Sequence, residues 1–179
     1  MKNDFKRLGT ELIYKARLFE LKKVKTRRAN GHEFTHDVIF HPGAAVIVPM
    51  ISPKEFVLIR QYRTAVNDVM WEFPAGTLEK GESPLKCAKR EIIEETGFSA
   101  KRWNNLGTFY PAPGISTELM HLFLARDLVI SEMSLDQDEF IEKNVVSVKK
   151  LQKMIYDGTI IDAKTIVGFF YYQMKFHRS

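Results

Sequence analysis

The sequence has a single cysteine, Cys87, so the chain cannot form a disulfide bond within itself. This excludes the disulfide-stabilised class of small secreted domains and favours a reducing compartment. The longest nearly unbroken apolar run, 44–51, contains a proline and is far shorter than the roughly 20 residues that span a bilayer. Residues 1–7 are polar and lack the apolar core of a signal peptide. We therefore expect a cytoplasmic protein that does not enter the membrane.

The composition has no strong bias. Of the 179 residues, 45% are apolar and 27% are charged, which excludes intrinsically disordered and fibrous chains. The 27 Lys and Arg residues exceed the 22 Asp and Glu residues by 27 − 22 = 5, giving a net charge of +5. So small an excess is compatible with nucleic acid, with anionic metabolites or with neither, so charge alone identifies no partner.

The first 40 residues are typical of β structure. Segments 18–28 and 33–40 flank Asn30-Gly31, which predicts a hairpin because both residues tolerate positive φ angles. The predicted ribbon is basic, and its charges suit either a solvated strand face or contact with an anionic ligand. Its cations are Lys22, Lys23, Lys25, Arg27 and Arg28. Buried strands are predicted at 44–48 and 56–61, and further strands at 103–110 and 119–125.

A helix is predicted between Ser83, which can cap its first turn, and Gly97, which can adopt the left-handed conformation at its end. Pro84 suits the first helical position. Two more helices are predicted at 148–157 and 163–175. Strands, a helix, more strands and closing helices indicate an α+β class with a mixed sheet packed by helices.

Three carboxylates of the first helix, Glu91, Glu94 and Glu95, are spaced to project from one face. Taken alone, this spacing is also typical of a solvated amphipathic helix. Like charges at this spacing repel, whereas a divalent cation would hold them together. Carboxylate oxygens are hard ligands that suit Mg²⁺ or Mn²⁺. Arg90 could pair with one of these acids and fix its conformation.

The whole segment 76–98 resembles the box motif of the Nudix hydrolases. Gly76 is followed after five residues by Glu82, and seven residues later come Arg90-Glu91, two apolar residues and Glu94-Glu95. Segments 61–63 and 71–76, with Pro113, resemble the branch that contains ADP-ribose pyrophosphatases and nucleoside-diphosphate-sugar hydrolases. The resemblance implies an α/β/α sandwich around a mixed sheet. It also implies hydrolysis of a nucleoside diphosphate sugar such as ADP-ribose or GDP-mannose, dependent on Mg²⁺ or, as the alternative ion, Mn²⁺.

The resemblance also implies roles for individual residues. The metal ligands would be Glu91, Glu95, the backbone carbonyl of Ala75, Glu94 and Glu139. Substrate would be held by Arg63 and Glu72, with Glu118 near the terminal sugar. Arg17 and Phe19 could contact a base through stacking.

The loop that supplies the general base departs from the family pattern. In relatives whose loop reads Glu-x-Glu the first glutamate is the usual base, and here Gln137 stands at that position. A glutamine cannot accept the proton, so three explanations stay open: Glu139 or Asp138 takes the role, the chain is impaired, or position 137 was altered from glutamate. An impaired chain would be a Nudix-like module that binds nucleotide sugars without cleaving them.

Two parts of the chain are predicted, a β ribbon at 1–42 and a catalytic domain at 43–179. In the branch that this sequence resembles, the ribbon commonly crosses to a second subunit and helps to form its nucleotide pocket. The resemblance therefore implies a homodimer. RNA binding through the basic ribbon is an alternative, but no RNA-binding motif accompanies the charge, and we expect no nucleic-acid partner.

Overall fold

The computed structural model describes residues 1, 4–131 and 141–176. The chain divides into two compact units. The first comprises Met1–Gly43 and Tyr110–Leu119, and the second comprises Ala44–Phe109 and Met120–Ser179. The ribbon at 1–42 and the catalytic domain at 43–179 stay predictions as functional divisions.

The first unit is built on an antiparallel sheet of β1 (Phe5–Lys15), β2 (Glu20–Arg28) and β3 (Glu33–Phe40), in that order. The predicted hairpin is confirmed. The turn between β2 and β3 contains Gly31 at a φ of 86°, a conformation that glycine adopts without strain. Nearly every side chain of β1 is exposed, so this strand contributes little to a core within its own unit.

The second unit is a mixed sheet with helices. Its strands are β4 (Ala44–Ser52), β5 (Glu55–Arg63), β6 (Asp68–Glu72), β7 (Ala75–Thr77), β8 (Phe98–Phe109), β9 (Met120–Ile130) and β10 (Ile141–Ser147). Its helices are α1 (Pro84–Thr96), α2 (Val148–Tyr156) and α3 (Ala163–Phe176). The sheet order is β10-β5-β4-β9-β8, with β6 paired to β5 and β7 paired to β4. The β4–β9 pair is parallel and the other pairs are antiparallel, which confirms the predicted mixed sheet.

Strand β4 serves two cores because successive side chains of a strand point to opposite faces. Ala45 and Ile47 belong to a buried cluster with residues of α1, among them Ile92. Val46 and Val48 belong to the other cluster, which includes residues of α2 and α3. The helices therefore cover both faces of the sheet, and the predicted α/β/α sandwich is confirmed.

Helix α1 begins and ends where its sequence predicts. The side chain of Ser83 accepts a hydrogen bond from the Lys86 N–H, and Pro84 is the first helical residue. Gly97 ends the helix at a φ of 65°, and its N–H donates to the Ile93 carbonyl. These two caps set the extent of α1, which carries the three carboxylates.

Several strands extend beyond the sequence predictions. Strand β8 begins at Phe98 instead of position 103, directly after the helix stop. Strands β6, β7 and β10 were not predicted, because β6 and β7 are short and β10 does not alternate clearly between apolar and polar side chains. No helix within residues 4–131 and 141–176 is both long and apolar enough to cross a membrane.

Candidate functional site

The carboxylates of α1 are organised around the guanidinium of Arg90. It donates to both carboxylate oxygens of Glu82 at 3.1 Å. It also donates to Glu91 at 2.6 Å and to Glu94 at 2.9 Å. The prediction that Arg90 pairs with an acid of this segment is confirmed, and three acids share it. One cation thus offsets the repulsion of carboxylates that helical spacing forces together.

The charges of this cluster shift the protonation of its members. Hydrogen bonds to Glu82, and then the charge of Glu91, raise the pKa of Arg90 despite its partial burial. The bond from Arg90 lowers the pKa of Glu82 below its ordinary value. Glu82 is therefore held in its ionised state by Arg90.

Strand β7 brings the backbone against the acidic face of α1. The Ala75 N–H donates to a carboxylate oxygen of Glu95 at 2.9 Å, and Glu95 is buried. Gly76 lies so close to Glu91 that a Cβ atom added to the glycine would meet the Glu91 carboxylate oxygen at 1.7 Å. Only glycine leaves room for Glu91 in this position.

These residues suit a hard divalent cation by the chemistry of their donors. Within the described part of the chain, no three His, Cys, Asp or Glu side chains already form a metal-binding group. The guanidinium of Arg90 instead forms ion pairs with Glu82, Glu91 and Glu94. The missing Cβ of Gly76 leaves a cradle that the Glu91 side chain occupies, which brings the carboxylate against the backbone of β7.

A second charged cluster surrounds Glu72, which is 1% exposed. Arg63 donates to it through two nitrogen atoms, at 2.9 and 2.5 Å, in bidentate geometry. Lys164 also donates to Glu72, and it donates to Asp162 at 3.0 Å. Sequence reasoning named Arg63 and Glu72 but missed Lys164 and Asp162, because no local pattern links them to a strand some 90 residues earlier.

The balance of burial and charge fixes the protonation of Glu72. Burial alone would raise its pKa, but the bonds from Arg63 and the charge of Lys164 outweigh burial and hold the pKa below its ordinary value. The Glu72 hydrogen bond likewise raises the pKa of Arg63, and the charge of Glu95 adds to the effect. The two clusters are thus electrostatically coupled.

We expect Glu72→Gln to lower the free energy of unfolding at pH 7 by about 2–3 kcal/mol. The substitution removes the carboxylate that both cations share, leaving Lys164 with Asp162 alone, and the value is reduced because Arg63 is partly exposed. Since the folded-state pKa of Glu72 is depressed, its stabilisation is present above the unfolded pKa and is lost as the pH falls through the folded pKa.

Urea unfolding of the wild type and the variant between pH 7 and pH 3 measures this difference, which should shrink as the pH falls. The matched control is Glu142→Gln, because Glu142 pairs with Arg60 at 3.1 Å on the surface. Its expected cost is below about 0.5 kcal/mol. A Glu72→Gln deficit that stayed constant down to pH 3 would contradict the ionic origin of the effect.

The remaining predicted site residues lie elsewhere. Glu118 belongs to the first unit, 3.7 Å from His41 Nδ1, which also accepts the Gly43 N–H. Arg17 and Phe19 line a cavity of about 330 Å³ in the same unit. Glu139 and Gln137 lie outside the described residues. The roles assigned to all of these stay predictions.

Cys87 is fully buried beneath the acidic cluster. Its Sγ lies 3.4 Å from the Gly76 carbonyl oxygen and donates a weak hydrogen bond to it. Burial, and then the negative charge of Glu91, raise the pKa of the thiol to about 12. Cys87 therefore serves as a small packing residue, and its thiol is protonated at neutral pH.

Comparison with known proteins gives consistent matches. A model of the NUDIX domain matches residues 41–167. The ADP-ribose pyrophosphatase of Bacillus subtilis (strain 168) is 33% identical over 172 residues, covering 95% of this chain and 93% of that protein. The methanol dehydrogenase activator of Bacillus methanolicus is 32% identical over 172 residues, with the same two coverages. A crystal structure of an ADP compounds hydrolase matches the fold with a TM-score of 0.83, at 24% identity, over 96% of this chain and 93% of that chain.

Proposed function

This chain belongs to the Nudix hydrolase family, and from that premise we propose that it hydrolyses the pyrophosphate bond of nucleoside diphosphate sugars, ADP-ribose among them. The products would be a nucleoside monophosphate and a sugar phosphate. The observation that carries the proposal is the cradle at Gly76, where a backbone without Cβ admits the Glu91 carboxylate beside Glu95.

Hydrolysis would use a divalent cation, Mg²⁺ with Mn²⁺ as a substitute. Glu91, Glu95 and the carbonyl of Ala75 would hold it, joined by Glu94 and Glu139. When bound, the cation supplies neutralisation of the pyrophosphate charge and activation of a water molecule. The protein supplies carboxylates in a fixed arrangement, and Arg90 offsets the repulsion between Glu91 and Glu94 by donating to both.

Arg63 is the proposed cationic contact for the substrate. Its guanidinium is held rigidly by Glu72, and a cation held in place loses little conformational entropy when an anion binds. Glu72 would then orient Arg63 without contacting the substrate itself. Glu118, Arg17 and Phe19 are proposed to contact the sugar and the base.

A carboxylate must take the proton of the attacking water. Gln137 cannot do so, which leaves Glu139 as the proposed base and Asp138 as the substitute. If neither acts, the chain is a binding module that holds the nucleotide sugar without cleaving it.

Phosphate release from ADP-ribose, GDP-mannose and UDP-glucose, each assayed with and without Mg²⁺ and coupled to a phosphatase, tests the proposal. We expect metal-dependent turnover, fastest with ADP-ribose. No turnover of any of the three with metal present would overturn the enzymatic proposal, and binding without turnover would favour the binding module.

We also propose a cytoplasmic homodimer. The support is the first unit, where β1 exposes large apolar side chains that a second copy could cover. They are Phe5, Leu12, Ile13 and Tyr14, each at least 46% exposed. Light scattering should give twice the monomer mass, and Leu12→Lys should shift it toward the monomer. A monomeric wild type at micromolar concentration would contradict the dimer.

A further inference from the structure

The connection between β6 and β7 consists of Phe73 and Pro74 and leads directly into Ala75. It is held from two directions before it reaches the site. The Phe73 N–H donates to the Thr165 hydroxyl oxygen at 2.7 Å, and the Pro74 carbonyl accepts from the Ile47 N–H at 2.9 Å. Thr165 belongs to α3 and is fully buried. Helix α3, on one face of the sheet, therefore holds the segment that leads to α1 on the other face.

The direction of the hydrogen bonds through Thr165 follows from chemistry. A backbone N–H can only donate, so Thr165 accepts from Phe73 and its single hydroxyl proton is left to point to the Asp162 carboxylate, at 2.6 Å. The same Asp162 oxygen accepts the Thr165 N–H at 2.9 Å and so caps the first turn of α3. Asp162 thus orients the Thr165 hydroxyl so that a lone pair of its oxygen faces the Phe73 N–H.

The bond to Thr165 has a special position in the backbone. Pro74 has no N–H, so the Phe73 N–H is the last backbone donor before Ala75. The next donor, the Ala75 N–H, already binds Glu95 in the site. Gly76 follows and lies against Glu91. Between Phe73 and the backbone that meets the two glutamates, the only other residue is Pro74, whose carbonyl accepts from the Ile47 N–H.

We propose that Thr165 is a positioning residue, whose hydroxyl fixes Ala75 and Gly76 relative to Glu95 and Glu91 and so sets the affinity of the site for a divalent cation. The inference rests on the proposed function for the identity of the cation ligands. Thr165 acts through the backbone and has no contact with the reacting atoms.

The test compares Thr165→Val with Thr165→Ser. Valine keeps the shape of threonine but leaves the buried Phe73 N–H without an acceptor, while serine keeps the hydroxyl. We expect Thr165→Val to weaken Mn²⁺ binding about tenfold, as is usual when a group that orients metal ligands is lost. Electron paramagnetic resonance of free Mn²⁺ measures the binding. The Mn²⁺ affinity of Thr165→Ser should stay within about twofold of the wild-type value. At saturating Mn²⁺, the KM of Thr165→Val for ADP-ribose should also stay within about twofold of the wild-type value.

Two controls separate positioning from general effects. Thr159→Val removes a similar bond, from Thr159 to Asp157 at 2.7 Å, at an exposed position away from the site. Leu151→Ala lowers stability through the core that α2 shares with α3. Both should leave Mn²⁺ affinity unchanged. If Thr165→Val does not fold, Thr165→Cys serves instead, because a thiol is a weak acceptor of similar size.

Wild-type Mn²⁺ affinity in a folded Thr165→Val or Thr165→Cys variant would overturn the inference, and so would an equal loss in Leu151→Ala. A wild type that binds no Mn²⁺ would overturn it as well. A wild type that binds Mn²⁺, loses that affinity in Thr165→Val and hydrolyses no nucleotide sugar would support the inference and overturn only the proposed function.

Discussion

Gly76→Ala should reduce kcat/KM for ADP-ribose roughly 100-fold while the protein stays folded. The added Cβ would meet the Glu91 carboxylate oxygen at 1.7 Å, so the Glu91 side chain must move away. Moving the end of a flexible side chain costs little stability, but it removes a proposed cation ligand from its place. Steady-state kinetics with a Mg²⁺ titration, beside thermal unfolding, measures both effects.

The matched control is Gly9→Ala. A Cβ at Gly9 would meet no atom within 4 Å, so its activity should equal that of the wild type. For Gly76→Ala the melting temperature should stay within about 3 °C, which corresponds to roughly 1 kcal/mol in a chain of this size. Full activity in Gly76→Ala would show that Glu91 does not need its present position. A loss of activity that only followed unfolding would point to the fold instead of the site.

The double substitution Glu91→Gln with Glu95→Gln should have the largest effect, a loss of roughly 10³-fold or more in kcat. The estimate follows from the several kcal/mol that a bound cation contributes to stabilising charge in the transition state, at 1.36 kcal/mol per tenfold. Amides preserve the shape and the hydrogen bonds that carboxyl oxygens accept, including that from the Ala75 N–H. Mn²⁺ binding should be lost in parallel.

The control is the double substitution Glu79→Gln with Glu142→Gln, which also removes two negative charges, but from exposed surface positions. Its activity should be unchanged, which separates loss of a ligand from loss of net charge. Activity in the Glu91/Glu95 variant that matched the wild type would remove both residues from the proposed site.

Local features of the sequence predicted the parts of the site that depend on local chemistry. Ser83 and Gly97 mark the ends of α1 because caps satisfy backbone groups only a few residues away. The shared face of Glu91 and Glu95 follows from helical spacing alone. These features need no knowledge of the rest of the chain.

Other parts could not be predicted, because they depend on partners far along the chain. Thr165 and Phe73 are 92 residues apart, and the same distance separates Lys164 from Glu72. No periodicity links such pairs. Strand β7 has only three residues, and it is a strand because β4 lies beside it. The sequence alone therefore named the acids of the site and their partner Arg90, but not the long-range contacts that hold the surrounding backbone in place.

Strand β4 has a consequence for how the second unit unfolds. Alternate side chains of one backbone belong to the core beneath α1 and to the core beneath α2 and α3. Neither core can open without releasing the strand on which the other is built. We therefore expect both layers to unfold in one cooperative transition, with similar protection of their central amides from hydrogen exchange. The acid-bearing helix thus shares the stability of helices on the opposite face.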